Sequence, residues 1–158
     1  MIRLKPMSEA TYQAYLAVTV REYADDKVKA GNWQPEEALE RSAAEFQMYL
    51  PDGVATTNNY LYDIVDEARS IKVGMIWLGR IMQGSKPALF VYDFRIDEAE
   101  RRKGYGEQAM QAAEVQAKAL GYDMIALHVF GHNQAARALY EKLGYEITNV
   151  HMAKNLTK

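Results

Sequence analysis

Ala88-Leu89-Phe90-Val91-Tyr92-Asp93-Phe94-Arg95-Ile96 is an apolar, β-branched and aromatic run, and Arg101-Arg102-Lys103-Gly104-Tyr105-Gly106 follows it after a short polar link. Glu107 to Leu120 then reads as a helix, stopped by Gly121. A strand that feeds a basic, glycine-bearing turn opening a helix is a place to hold phosphate. The first N–H groups of a helix lack internal partners, and the helix dipole favours negative charge there. Glycine lets the backbone approach an anion with no side chain in the way. Two rival phosphate loops fail on context. Gly104-x-Gly106-x-x-Ala109 fits the dinucleotide fingerprint, but Asp97 to Lys103 separate strand from glycine, and the next strand ends at Phe130-Gly131-His132 without a carboxylate for a ribose. A triphosphate loop needs Gly-Lys-Ser or Gly-Lys-Thr, which the chain lacks.

Working outward, Ile2 to Leu4 predicts a short strand. Ser8 caps a helix to about Lys29, with Tyr12, Tyr15, Leu16, Thr19 and Tyr23 on one stripe. Pro35, with Glu36 and Glu37, starts a second helix to about Leu50. Tyr60–Val65, Ile71–Ile81 and Ala88–Ile96 read as three strands joined by polar turns. Met124 to Phe130 reads as a buried strand, and Asn133 caps a helix over Gln134–Leu143 with Gly144 just beyond. Tyr145–Val150 and Met152–Leu156 could pair as a closing hairpin. The order predicts an α/β (α+β) fold: a mixed, mostly antiparallel sheet with helices on both faces. The 158 residues are expected to form a single domain.

The formal net charge is -2, so no global basic field recruits nucleic acid. There is no cysteine, which removes disulfides, a thiolate nucleophile and cysteine-based zinc sites. His128 and His132 stand four apart but span a strand end and a loop, so the spacing gives no metal pair, and no metal is expected. Met1 to Pro6 lacks the apolar core of a signal peptide, and no run approaches a membrane span, so a cytoplasmic location is expected.

A second element stands downstream: Asn133-Gln134-Ala135-Ala136-Arg137-Ala138-Leu139-Tyr140-Glu141-Lys142-Leu143-Gly144-Tyr145. Asn133 and Tyr140 are seven apart and share one helix face, two turns distant. With the glycine turn, residues 88 to 152 resemble the GNAT (GCN5-related) N-acetyltransferase family. Tyr23 to Trp33 and Tyr92-Asp93-Phe94 are similar to a small bacterial branch of it. The resemblance implies the GNAT acyl-CoA fold, with acetyl-CoA as co-substrate and direct transfer of its acetyl group to a primary amine of a small molecule or peptide. It leaves a homodimer open. Its pyrophosphate loop matches Arg101, Arg102, Lys103, Gly104, Tyr105, Gly106 and Glu107. Its pantetheine contacts match the backbone of Phe94, Arg95 and Ile96, where the strands before and after the loop part. Glu98 departs from the family's frequent proline, and Arg102 stands where glycine is common.

Tyr140 matches the family's general acid, which protonates the departing CoA thiolate and contacts the cofactor. A phenol near pKa 10 and a thiol near 8.5 differ by about 2 kcal/mol, a gap that a hydrogen bond can bridge. Its bland alternative is a packed aromatic. Asn133 reads equally as a pantetheine ligand and as a plain helix cap. An alkyl ammonium is only about 0.1% free amine at pH 7, so a group must relieve it of a proton. Asp93, a carboxylate in mid-strand, is the candidate base, or orients the amine, or binds backbone or Arg95. Tyr92 and Tyr62 are alternatives for guiding water. Glu22, Asp25 and Asp26 could attract a cationic acceptor, against the plainer reading of a solvated face. The competing function is a non-catalytic acyl-CoA-binding or protein-interaction module of the same fold.

Overall fold

The computed structural model describes residues 1–157, which fall into two compact units, Met1–Leu127 and the segment from His128. The first unit holds a five-stranded sheet in the order β1-β2-β3-β4-β5. The strands are β1 (Ile2–Pro6), β2 (Asn59–Asp66), β3 (Ile71–Gln83), β4 (Lys86–Ile96) and β5 (Ile125–Leu127). The first four pair antiparallel, and β4 pairs parallel with β5 across the helix that joins them. That is the predicted mixed, mostly antiparallel sheet.

Helices α1 (Glu9–Lys29) and α2 (Pro35–Tyr49) connect β1 to β2, and α3 (Tyr105–Ala119) connects β4 to β5. Ser8 Oγ accepts from Thr11 N, so the predicted cap starts α1. Pro35 and the Gln34–Glu37 capping box start α2. Successive strand residues point to opposite faces, which gives the sheet two apolar sides. Leu61, Met75 and Trp77 pack with Tyr12 and Tyr15 of α1 and with Leu50. On the other face Tyr62 takes a hydrogen bond from Gln116 of α3, whose Ala109, Met110, Ala113 and Ala117 are buried.

One irregularity bears on the site. The β3–β4 register runs Trp77 with Asp93, then Leu78 with Val91, so Tyr92 is an extra residue in β4. This is a β-bulge, which breaks the strict alternation of faces. The Tyr92 ring lies so close over Gly79 that a Cβ there would come within 2.6 Å of it. Glycine is required at 79 for that approach.

The second unit, described by itself, contains α4 (Gln134–Lys142). The Asn133 side chain accepts from Ala136 N at 3.1 Å, and Gly144, at φ +94°, closes the other end. The expected closing hairpin is corrected: among the described residues, 145–157 form no strand. Ile147, Val150, Met152 and Leu156 have the apolar character of strand residues but are all exposed. Two short runs need a third strand or a helix face to be stable as a ladder. The strand expected over Met124–Phe130 is also shorter, Ile125–Leu127, because its ladder with β4 stops at Val91, beside the bulge.

Candidate functional site

The turn before α3 has an uncommon backbone. Arg102 has φ +64° and Gly104 φ +82°, two left-handed residues with Lys103 between them. Among the described residues, the backbone N–H groups of Arg102, Lys103, Gly104, Tyr105 and Gly106 donate to no group of the chain. Such a run of unpaired N–H groups at a helix start is an anion-binding concavity. A Cβ on Gly104 would find only the Gln108 amide, at 3.9 Å, so the approach over this glycine is open.

The loop is fastened from behind. The buried Tyr105 hydroxyl donates to Asp66 Oδ2 at 2.5 Å and accepts from Arg69 Nη1 at 3.0 Å. Arg69 also pairs with Glu100 at 2.7 Å, and Glu100 holds Lys103 Nζ at 3.1 Å. Hydrogen bonding from Tyr105, chiefly, holds the Asp66 carboxyl below its usual range. Bonds from Arg69 and Lys103 do the same for Glu100. Of the basic side chains, Lys103 is therefore occupied by Glu100, and Arg101 Nε turns back to donate to Ile96 O at 2.9 Å. Sequence reasoning missed Asp66, Arg69 and Glu100; the polar hairpin turn hinted at a connection, not at a brace.

Along β4, Asp97 N donates to Val73 O, so the alternation turns the N–H and C=O of Phe94 and Ile96 toward the opposite edge. The β5 ladder has already ended there, at Leu127. Beyond Val91, next to the Tyr92 bulge, β4 is laddered to β3 and no longer to β5.

Asp93, Tyr92 and Arg95 line one cavity of about 310 Å³, which lies between β3–β4 and the α1–α2 pair. The bulge is what allows Tyr92 and Asp93, adjacent in sequence, to share it. Asp93 is held on both oxygens: Tyr15 Oη donates to Oδ2 at 2.7 Å, and Arg95 Nε stands 3.5 Å from Oδ1. Arg95 also pairs with Glu22. The cavity wall includes Trp77, whose Nε1 donates to Asn59 Oδ1 at 2.9 Å and whose ring stacks on Tyr92 at 4.8 Å. Tyr15, Glu45, Tyr49 and Trp77 were not singled out from the sequence as site residues. The signal for Tyr15 was indirect, since a mid-strand carboxylate calls for a partner, and this one comes from 78 positions away.

In the second unit, Tyr140 is half-buried and its ring meets Tyr145 edge to face at 5.7 Å. Burial raises the Tyr140 hydroxyl above the ordinary tyrosine value. Asn133 serves as the cap of α4, one of its two predicted readings. Among the described residues no helix is long and apolar enough to cross a membrane, and no group of three or more His, Cys, Asp or Glu is placed to hold a metal.

Comparison with known proteins adds to this geometry. Residues 20–145 match the model of the acetyltransferase (GNAT) family. The chain is 39% identical over 155 residues to YycN of Bacillus subtilis strain 168, described as an uncharacterized N-acetyltransferase, covering 98% of this chain and 99% of YycN. It is 33% identical over 153 residues to YdgE of the same organism, with 97% of each covered. The crystal structure of YycN superposes with a TM-score of 0.85 over the full length of both chains. An aminoglycoside antibiotic 6'-N-acetyltransferase from Acinetobacter baumannii, 17% identical, covers 99% of this chain and 100% of its own at a TM-score of 0.60, and so shares the fold.

Proposed function

The chain belongs to the acetyltransferase (GNAT) family, and from that premise we propose that it transfers the acetyl group of acetyl-CoA to a primary amine on a small molecule or peptide. The observation that carries this reading is the row of unpaired N–H groups from Arg102 to Gly106, braced by Tyr105 on Asp66. These donors fit a diphosphate. The open edge at Phe94 and Ile96 fits the amide-bearing arm of the same molecule. When bound, acetyl-CoA supplies an activated acyl carbon, and transfer forms a C–N bond while breaking the C–S bond.

The chain's own residues then have defined tasks. An N–H of the open β4 edge polarises the thioester carbonyl, as an oxyanion donor does. Tyr140 donates its proton to the leaving sulfur. Because burial raises its hydroxyl, it acts by hydrogen bonding to developing negative charge instead of ionising beforehand. Asp93 lines the cavity and is already engaged by Tyr15 and Arg95. Those partners make it better suited to hold the amine than to carry off its proton, which leaves to solvent. Asn133 contributes through its cap at α4, with its amide assigned to the cofactor arm. We read residues 1–158 as one acetyltransferase domain, supported by the near-complete overlap with YycN. A cytoplasmic location goes with this reading and with a chain that has no cysteine.

The test is a thermal-shift titration with acetyl-CoA followed by a thiol-release assay over amines. A saturable shift with thiol release is expected. A shift without release from any amine would leave only a binding module, and no shift would remove the cofactor assignment.

A further inference from the structure

The cavity beside Asp93 has a charge pattern that narrows the acceptor. It is lined by four carboxylates, Glu22, Asp26, Glu45 and Asp93, and one guanidinium, Arg95. Arg95 is fully used, since it pairs with Glu22 and Asp93 together. Among the described residues, Asp26 and Glu45 make no ion pair. Burial, with the neighbouring Glu45 carboxylate adding to it, pushes the Tyr23 hydroxyl up to about 12, so the phenol beside Glu45 stays protonated.

Helical spacing decides which acids belong here. Tyr15, Thr19, Glu22, Tyr23 and Asp26 of α1 line the cavity, whereas Asp25 lines a separate groove with Arg21 and Lys29. Glu22, Asp25 and Asp26 are all exposed, as a solvated face would be, but they divide between two grooves. Glu22 and Asp26 stand one helical turn, about 6 Å, apart along the cavity wall.

The remaining wall is aromatic. Trp77 and Tyr92 stack, Tyr49 meets both rings, and Tyr49 and Tyr92 are 50% and 37% exposed. Exposed ring faces beside carboxylates hold alkylammonium groups. The chain uses Tyr23 in this way itself, with Lys27 Nζ 5.4 Å from its ring centroid. At about 310 Å³ the cavity suits a small molecule, at the low end of ligand sites. A carboxylate on the acceptor would meet no free cation in it and two uncompensated acids.

Resting on the acetyl-transfer reading, we propose that the acceptor carries two positive charges. The amine to be acetylated sits at Asp93, and a second ammonium sits between Asp26 and Glu45 against the aromatic wall. The substrate class is a short diamine or polyamine, not an amino acid and not an amine with a neutral tail.

The test uses the intact enzyme, acetyl-CoA and three acceptors of matched length: 1,5-diaminopentane, pentylamine and 5-aminopentanoate. The diamine is expected to exceed pentylamine by roughly tenfold or more in kcat/KM, with 5-aminopentanoate lowest. Its advantage shrinks as salt rises. Asp26→Asn and Glu45→Gln each lower kcat/KM more for the diamine than for pentylamine, through KM. Binding of the diamine is also read without turnover by tryptophan fluorescence, since Trp77 lines the cavity. Equal rates for diamine and pentylamine, a preference for 5-aminopentanoate, or no diamine binding while acetyl-CoA still binds in calorimetry would overturn the inference and leave acetyl transfer standing. Failure of acetyl-CoA itself to bind would overturn the reading beneath it.

Discussion

Replacing Tyr15 by phenylalanine removes one hydroxyl and keeps the ring. That hydroxyl donates to Asp93 Oδ2 at 2.7 Å from a side chain that is only 8% exposed. A hydrogen bond to a charged acceptor contributes about 1.5–3 kcal/mol. The Asp93 side chain is 21% exposed, so water recovers part of the loss, and the lower half of that range applies, about 1.5–2 kcal/mol. For a chain of this size 1 kcal/mol shifts Tm by about 2–4 °C, so Tyr15→Phe should lower Tm by about 3–8 °C. A pH dependence accompanies it. Burial first, and the Asp93 charge second, raise the Tyr15 hydroxyl above its ordinary value of 10.0. The folded state then keeps a proton that the unfolded chain gives up above about pH 10, so this contribution is intact at neutral pH and is lost as pH climbs beyond that point. The variant should therefore show a shallower alkaline decline in urea-melt stability than the parent. Function follows the same bond: with Asp93 less firmly held, KM for the amine should rise severalfold while acetyl-CoA affinity stays constant. A Tm within 1 °C of the parent, with an unchanged alkaline slope, would refute the claim that Tyr15 holds Asp93.

Asp93→Asn keeps an acceptor for Tyr15 but removes the charge; amine KM should rise about tenfold with the shape of the pH–rate profile unchanged, whereas loss of its acidic limb would make Asp93 the base instead. Gly104→Glu places a carboxylate over the loop and a side chain at φ +82°. Calorimetry should show acetyl-CoA binding lost, with Tm lower by about 2–8 °C from roughly 1–2 kcal/mol of backbone strain. Tyr140→Phe should reduce kcat by about a hundredfold or more, with the Kd for acetyl-CoA within twofold, in single-turnover and binding assays; equal turnover would remove Tyr140 from its role.

Much of the fold was readable because its elements are marked locally. Ser8, Pro35 and Asn133 start helices through side-chain chemistry that acts within a few residues. The glycine turn carried the family resemblance only together with the stretch Asn133–Tyr145, and both are contiguous runs that a single sequence displays. What the sequence concealed was long-range. The bulge at Tyr92 is a matter of register with β3, so neither strand alone announces it. Asp93 and Tyr15 meet only after the α1–α2 pair packs on the sheet. Glu22 and Asp26 are separated from Asp25 by helix rotation against that sheet, and residue type cannot show it. At the other end, Tyr145–Leu156 has strand composition without a ladder, because composition specifies a face to bury and not a partner to pair with.

The central claim is that main-chain nitrogens between Arg102 and Gly106 receive the diphosphate of acetyl-CoA. An ¹⁵N–¹H titration of the protein with acetyl-CoA reads those nitrogens one by one. The amides of Lys103, Gly104, Tyr105 and Gly106 should move downfield together, further than any others, and saturate at one equivalent. Saturable binding that leaves those four resonances in place would contradict it.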